Sequence, residues 1–516
     1  MKKLLFRKLS EQKHQESMNS GSASENTALY LCISCLIIGC SLSIHSAWRW
    51  PLVGDASLIR YVVFLIHSGM APYSQIVDIN LPGSYFIEYC AMKFFGWGAH
   101  GLRIYDGFLC TLLVALSYLA GNNSKRERLF CLAGGLLFVL VHLQDGLEQA
   151  GQRDFSMAII LLGGLVLLIR TRRLALTSLF LFETLIGLSL TIKPTLLPMV
   201  LLPLLFYKTA PDKSFKRMLL FCSVGVAGLA IPVALMFLWL NSYNSVHAFY
   251  DVVRSIDVLH GTLGRKSLWF RLQHCMSPVA ILFTIWSIVI VVDRPALDKT
   301  RRLFIGALFC GFLSYLVQGK GLPYQRYPFL AVGIVFIFLD CSRANRGLAR
   351  VVALACLFVV PLAIVPKLTS ETLSYDAVAP FQDSLGRTIL TNMKEGSIQC
   401  LDTYGGCINV LYDLRVRQVT GYLYDCYLFT SPSAIRDRYR EQFLKAFIEA
   451  DPSVVIMTND PCFVPARGFA RLVTWPELDE EMMKNYSVRT VWASQISYRW
   501  WSRSEHPTSY MVYIHK

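Results

Sequence analysis

Long apolar runs with almost no charge, parted by short polar connections, dominate the first 366 residues. A helix needs about 20 apolar residues to cross the hydrocarbon core of a bilayer. Runs of that order predict spans at about 28–48, 104–121, 129–143, 156–170, 174–192, 195–207, 218–240, 276–292, 303–318, 327–340 and 349–366. The stretch 83–97 predicts a re-entrant or interfacial helix instead of a span. After Pro366 the apolar blocks stop. "SIQCLDTY" (397–404), "SVVIMTND" (453–460) and the ending "SYMVYIHK" predict strands, while "SAIRDRYREQFLKAFIEA" (433–450) predicts a helix stopped at Asp451-Pro452.

The pattern therefore predicts an all-α polytopic membrane domain over 28–366, followed by a small α/β domain over 367–516. The polar stretch 1–27, with Lys2, Lys3, Arg7, Lys8 and Lys13, predicts a disordered cytoplasmic tail before an uncleaved first span.

Charge sharpens this picture. The chain carries a net +15. Residues 1–366 hold 34 Lys/Arg against 18 Asp/Glu, and the remainder holds 16 against 17. The excess lies in connections such as "NNSKRER" (122–128), "RTRR" (170–173), "YKTAPDKSFKR" (207–217), "DRPALDKTRR" (293–302) and "SRANRGLAR" (342–350). Alternate spans end on these connections, as the positive-inside rule requires. They mark the cytoplasmic side of the membrane and send the C-terminal domain to the other, extracytoplasmic side. The loops are short and no folded basic domain is visible, so no nucleic-acid partner is expected. Cys400, Cys407, Cys426 and Cys462 are even in number in an oxidising compartment, which permits disulfides without assigning pairs.

The opposite loops concentrate the candidate chemistry. "GDASLIRYVVFLIHSGMAPYSQIVDINLPGSYF" (54–86) follows the first span and reads as an interfacial amphipathic helix followed by a turn-rich segment. It contributes Asp55, Arg60 and Asp78. "HLQDGLEQAGQRDFS" (142–156) crowds Asp145, Glu148, Arg153 and Asp154 into ten residues. Lys193 precedes a helix-breaking proline in "TIKPTLLP" (191–198), and Lys320, Tyr324 and Arg326 lie in "VQGKGLPYQRYP" (317–328). Basic residues on an outer face run against the charge rule. An anionic ligand explains them; pairing with the acids and with lipid headgroups is the plainer alternative. Asp55 and Asp154 also suit helix capping. No Cys-x-x-Cys or His/Cys metal pattern appears.

Together, the aspartate just after the first span, the "PY…D…N-x-P" segment, "GQRDF", the "KP" helix end and "QGKG…Y…P" resemble the GT-C superfamily of integral-membrane glycosyltransferases. The chain looks most like the bacterial family 39, PMT/ArnT-like branch. The resemblance implies a polyprenyl-phosphate sugar donor used at the outer face, with Asp55 as the catalytic aspartate and Asp154 as the second-loop acid. The acceptor it implies is a glycan, a lipid or a protein. ArnT-like members often carry Lys-Pro-Pro where this chain has Asn80-Leu81-Pro82-Gly83. That leaves the lysine's role vacant, or to Arg60, Lys193 or Lys320.

Sugar transfer from a lipid phosphate needs cations to meet the leaving charge and a base for the acceptor hydroxyl. Lys193, Lys320, Arg326 and Arg60 are the phosphate candidates. Asp55 is the base, with Asp154 assisting, and attack opposite the lipid phosphate inverts the anomeric centre. Asp78, Asp145, Glu148, Arg153 and Tyr324 would line the cavity. A divalent metal ion bridging carboxylates fits such chemistry, but no ligand set is visible. A lipid-linked sugar transporter or flippase would need ionisable residues at mid-membrane and inverted repeats; Glu183 is the main charge within a span, and no repeat is evident. An O-antigen ligase or polymerase usually lacks so large a C-terminal domain.

Overall fold

The apolar runs fold as helices. In a computed structural model, residues 26–146, 149–171, 175–207, 215–344, 351, 355, 379–393, 397–459, 462, 468–493 and 509–516 are described. The tail expected over 1–27 (save its last two residues), the span at 349–366 (save Val351 and Ala355), the boundary at 366–367 and Glu148 lie outside them.

Helix α1 (Asn26–Ala47) is followed by α2 (Gly54–His67), α3 (Pro82–Phe95), α4 (Ala99–Ala120), α5 (Lys125–Asp145), α6 (Arg153–Arg170) and α7 (Leu176–Ile192). After a proline-rich segment come α8 (Leu204–Tyr207), α9 (Phe215–Ser242), the short α10 (Val246–Arg254), α11 (Ile256–Thr262) and α12 (Leu268–His274), then α13 (Ala280–Asp293), α14 (Lys299–Gln318) and α15 (Tyr327–Arg343). Among the described residues, six helices are long and apolar enough to cross a membrane, and α7 and α13 are shorter apolar helices. This is a multi-pass membrane protein.

One expected span is not a continuous helix, and several helices begin four or five residues from their expected starts. The span expected at 195–207 is a 3-10 helix, Pro194–Leu201, and the single turn α8. Pro194, Pro198 and Pro203 remove the N–H donors that a continuous helix needs. Helix α5 begins at Lys125, inside the basic connection, because Ser124 caps it by accepting from the Glu127 amide at 3.1 Å. The stretch 83–97, expected as a re-entrant or interfacial helix, is α3; its 14 residues, like the 14 of α13 in the span expected at 276–292, reach about 21 Å, short of a hydrocarbon core of about 30 Å.

Helix α15 lies at the centre of the bundle and is buried along its length, whereas α9 is mostly exposed and presents Leu219, Val226, Leu235 and Leu238 outward, as a lipid-facing helix would. Helices α7 and α9 meet closely. A Cβ on Gly187 or Gly228 would come within 2.6 Å of a carbonyl oxygen on the facing helix.

Described residues of the connections 122–128, 293–302 and 342–350 meet at one end of the bundle. There Arg343 meets Glu127 at 2.9 Å and Asp298 at 3.0 Å, and Arg301 meets Asp340 at 3.2 Å. The C-terminal α/β region sits at the opposite end. Its sheet has the order β1-β2-β4-β3, with β1 (Ile398–Leu401) parallel to β2 (Val454–Thr458) and β4 (Ser509–His515) antiparallel to both β2 and β3 (Tyr486–Ala493). Helix α16 (379–392), α17 (Cys407–Leu414), α18 (Asp425–Phe429), α19 (Ala434–Ala450) and α20 (Pro476–Asn485) complete it. The four cysteines form two disulfides, Cys400–Cys407 and Cys426–Cys462.

This region is clasped to residues 52–77, in α2 and the segments on either side of it. The Val77 amide donates to the Gly421 carbonyl at 2.9 Å, Ser57 Oγ lies 2.6 Å from Asn409 Oδ1, and the Gln418 amide donates to the Tyr61 hydroxyl at 2.8 Å. A Cβ on Gly421 would fall 1.7 Å from the Gln75 carbonyl oxygen. Gly421→Ala must therefore part this seam, at a cost of about 1–3 kcal/mol. The expected outcome is a lower midpoint of thermal unfolding in detergent and faster proteolysis of the C-terminal region.

Candidate active site

Four helix ends meet at the end of the bundle beside the C-terminal region. Asp55 stands in the first turn of α2, just after Gly54, whose φ of 61° is left-handed. Arg153 and Asp154 open α6. Lys193 ends α7, where Pro194 prevents continuation. Gln318 ends α14, and Lys320 follows between Gly319 (φ 78°) and Gly321 (φ 68°). Neither aspartate makes a capping bond to its own helix. Each still lies at the positive end of a helix dipole, which favours a carboxylate.

The contacts divide the two acids by role. Asp154 is fully buried; its Oδ2 accepts from Lys193 Nζ at 2.5 Å and its Oδ1 from Gln318 Nε2 at 3.1 Å. Lys193 Nζ also donates to Gln318 Oε1 at 2.9 Å and lies 5.3 Å from the centroid of the Tyr324 ring. Asp55 keeps 16% of its side chain accessible; its Oδ2 accepts from Arg153 Nη2 at 3.4 Å and from the Tyr324 hydroxyl at 3.1 Å. The Tyr404 hydroxyl from the C-terminal region also bonds to Asp55, and burial, followed by the charge of Asp55, keeps that phenol well above its ordinary pKa. Asp55 thus keeps some accessible surface, with Lys193 and Arg153 (19% and 15% accessible) beside it, while Asp154 is closed off behind them.

Lys320 belongs to the same cluster. Its Nζ lies 2.5 Å from His260 Nε2 on α11, and His260 Nδ1 lies 3.0 Å from the Tyr427 hydroxyl. Burial, then the charge of Lys320, holds His260 well below its usual pKa, so the ring is neutral. A lysine can only donate. Nε2 therefore accepts, and Nδ1 carries the proton donated to Tyr427. Burial lowers the Lys320 ammonium to about 8, with Asp55 opposing and Lys193 assisting.

The structure brings together Asp55, Arg153, Asp154, Lys193, Lys320 and Tyr324. It places the other sequence candidates elsewhere. Arg60 is fully buried, with Nε 2.6 Å from Glu88 and Nη1 3.0 Å from the Gly98 carbonyl. Arg326 holds Asp145 through two bonds, at 2.6 and 2.8 Å, and donates to backbone carbonyls of His274 and Ser277. Asp78 is buried and accepts from Tyr424 at 2.6 Å, Tyr85 at 2.8 Å and Asn80 at 2.9 Å. Arg60 and Arg326, expected as phosphate ligands, have their charges met inside the fold by Glu88 and Asp145; an unpaired guanidinium buried there would cost several kcal/mol. Sequence reasoning missed His260, Tyr404 and Tyr427, none of which carries a local pattern, and it gave Gln318 no role although that residue opens the "QGKG" segment.

If Arg60 serves packing alone, Arg60→Ala strands Glu88 in the interior and costs about 3–5 kcal/mol of stability. The expected result is a large fall in folded protein and in unfolding midpoint. A phosphate-binding role would instead leave a stable protein with weakened donor affinity.

No protein-family model matches the chain, and neither does any curated protein sequence. Among solved structures, the chain is similar to ArnT from Cupriavidus metallidurans in the apo state, with a TM-score of 0.60 and 12% identity over 94% of this chain and 98% of that one. It is also similar to the same protein bound to undecaprenyl phosphate, with a TM-score of 0.55 and 10% identity over 94% and 97%. At this identity the likeness is one of fold. The chain has the GT-C fold of ArnT, a helical membrane bundle with a small mixed sheet in its C-terminal region.

Proposed function

We propose that the protein is a membrane glycosyltransferase that moves a sugar from a polyprenyl-phosphate donor to an acceptor hydroxyl at the outer face of a bacterial cytoplasmic membrane. The observation that carries this reading is the partition of charge in the site. One accessible carboxylate, Asp55, stands beside accessible cations, Lys193 and Arg153, while a second carboxylate, Asp154, is fully buried against the lysine.

That arrangement suits the reaction. The acceptor hydroxyl gives its proton to Asp55 as its oxygen attacks the anomeric carbon. The bond to the lipid phosphate oxygen breaks on the opposite face, which inverts the centre. The negative charge gathering on the phosphate is met by Lys193 and Lys320 through charge-assisted hydrogen bonds. Asp154 and Gln318 aim the Lys193 ammonium, and Tyr324 and Tyr404 hold the Asp55 carboxylate in place. The fold it shares with ArnT, solved with undecaprenyl phosphate, supports a donor of this class. The two disulfides support an oxidising, extracytoplasmic setting for residues 367–516. The even alternation of basic connections supports the same orientation, with 28–366 as the membrane domain.

Two experiments test the assignment. Asp55→Asn, purified as a folded protein, is expected to lose about 10²–10⁴-fold in transfer from a polyprenyl-phosphate sugar while still binding the donor; near-normal turnover removes Asp55 from the chemistry. The second follows from Lys320, whose ammonium binds anions only when protonated. With its pKa near 8, it is charged below that pH and loses charge as pH rises through it. Polyprenyl-phosphate affinity should therefore fall as pH rises through about 8, and Lys320→Gln should bind more weakly without that step.

A further inference from the structure

We propose that Asp106, Cys110 and His142 form a binding site for a divalent transition metal, zinc first, beneath the second outer loop. The proposal does not rest on the glycosyltransferase reading. One ligand atom from each residue falls within 4.8 Å of the others, and all three side chains are buried. Asp106 and Cys110 are four residues apart on α4, so they share a face. His142 comes from the facing helix, α5.

The surroundings are those of a metal centre. His142 Nε2 points at both carboxylate oxygens of Asp106, at 3.1 and 3.0 Å. Two ligands of one zinc ion stand about as far apart, given metal bonds of about 2.0–2.2 Å to nitrogen and oxygen. The other ring nitrogen, Nδ1, lies 3.1 Å from the Tyr327 hydroxyl. Such a partner on the far side of a ligand imidazole fixes its orientation and tautomer. Asp106 Oδ1 also accepts from the Gly151 amide at 2.8 Å.

A cavity of about 30 Å³ adjoins the trio, walled by Ala47, Trp50, Gly107 and Gly146 among others. It has room for water, and so for the fourth ligand of a tetrahedral ion. Charge balances too. Cys110 releases its proton to solvent on binding, and thiolate plus carboxylate neutralise the ion. Arg103, one turn before Asp106, donates instead to the Pro51 carbonyl at 3.1 Å and lies over Trp50. A nitrogen, a sulfur and an oxygen ligand together suit zinc over magnesium or calcium.

The consequence is a brace. Gly151, tied to Asp106, stands two residues before Arg153, so an ion here would stiffen the loop that presents Arg153 and Asp154.

The test uses the full chain in detergent, stripped by a chelator and titrated with Co²⁺. The expected result is one cobalt per chain with a thiolate-to-cobalt charge-transfer band that Zn²⁺ abolishes. Cys110→Ser should lose the band and Cys40→Ser should keep it. Tyr327→Phe should weaken zinc binding by about 10–100-fold. Should Cys110→Ser fail to fold, X-ray absorption of the zinc-loaded wild-type protein decides: one sulfur among nitrogen and oxygen ligands supports the site. No band, a band that survives Cys110→Ser, or a sulfur-free zinc shell overturns it and leaves Asp106, His142 and Tyr327 as a hydrogen-bonded trio only.

Discussion

Asp154 is fully buried, and its carboxylate is held from both sides, by Lys193 on one oxygen and Gln318 on the other. These three side chains come from the start of α6, the end of α7 and the end of α14. A carboxylate taken out of water costs several kcal/mol unless it is paired and hydrogen-bonded. The need to satisfy Asp154 thus pins three helix ends to one another. That junction fixes the direction of the Lys193 ammonium and sets Arg153 beside Asp55. Much of the site follows from one buried charge being answered.

A second constraint ties the C-terminal region to the bundle. Asp78, in the segment between α2 and α3, accepts from Tyr424, and Asn409 on α17 donates to the Leu52 carbonyl at 3.0 Å. These contacts bring Tyr404 onto Asp55. The loop carrying Tyr404 is closed by the disulfide between Cys400 and Cys407 and by the Asp402 carboxylate, which accepts from the amides of Gly405 and Cys407 at 2.7 Å. The small α/β region is therefore part of the site's wall as well as a cap. Covalent closure of so short a loop limits how far the phenol can wander.

Much of this was legible along the chain, and for physical reasons. Apolar length reports bilayer crossing because the hydrocarbon core has a fixed thickness. Basic connections report sidedness because Lys and Arg are retained on one side. The loops opposite the basic connections could thus be singled out, and Asp55, Arg153, Asp154, Lys193, Lys320 and Tyr324 with them. The strands 398–401, 454–458 and 509–515 and the helix 434–450 followed from periodicity, with Ser433 capping that helix at 3.1 Å. The segment at 195–207 was misread because its hydropathy suits a span while its three prolines do not suit a continuous helix.

By itself the sequence determined the class of molecule, the end of the bundle at which each loop lies, and the set of charged residues available there. Tertiary structure alone decided which of those charges remain available. Arg60 and Arg326 look no different in sequence from Lys193 and Lys320, yet Glu88 and Asp145 consume the first two. Partners such as Arg153 with Asp55, Tyr324 with Asp55, or His142 with Asp106 lie 98, 269 and 36 residues apart. Periodicity reports only what neighbours a few residues away share. The pairing of buried charges is settled by which helix ends the whole fold brings within hydrogen-bond reach.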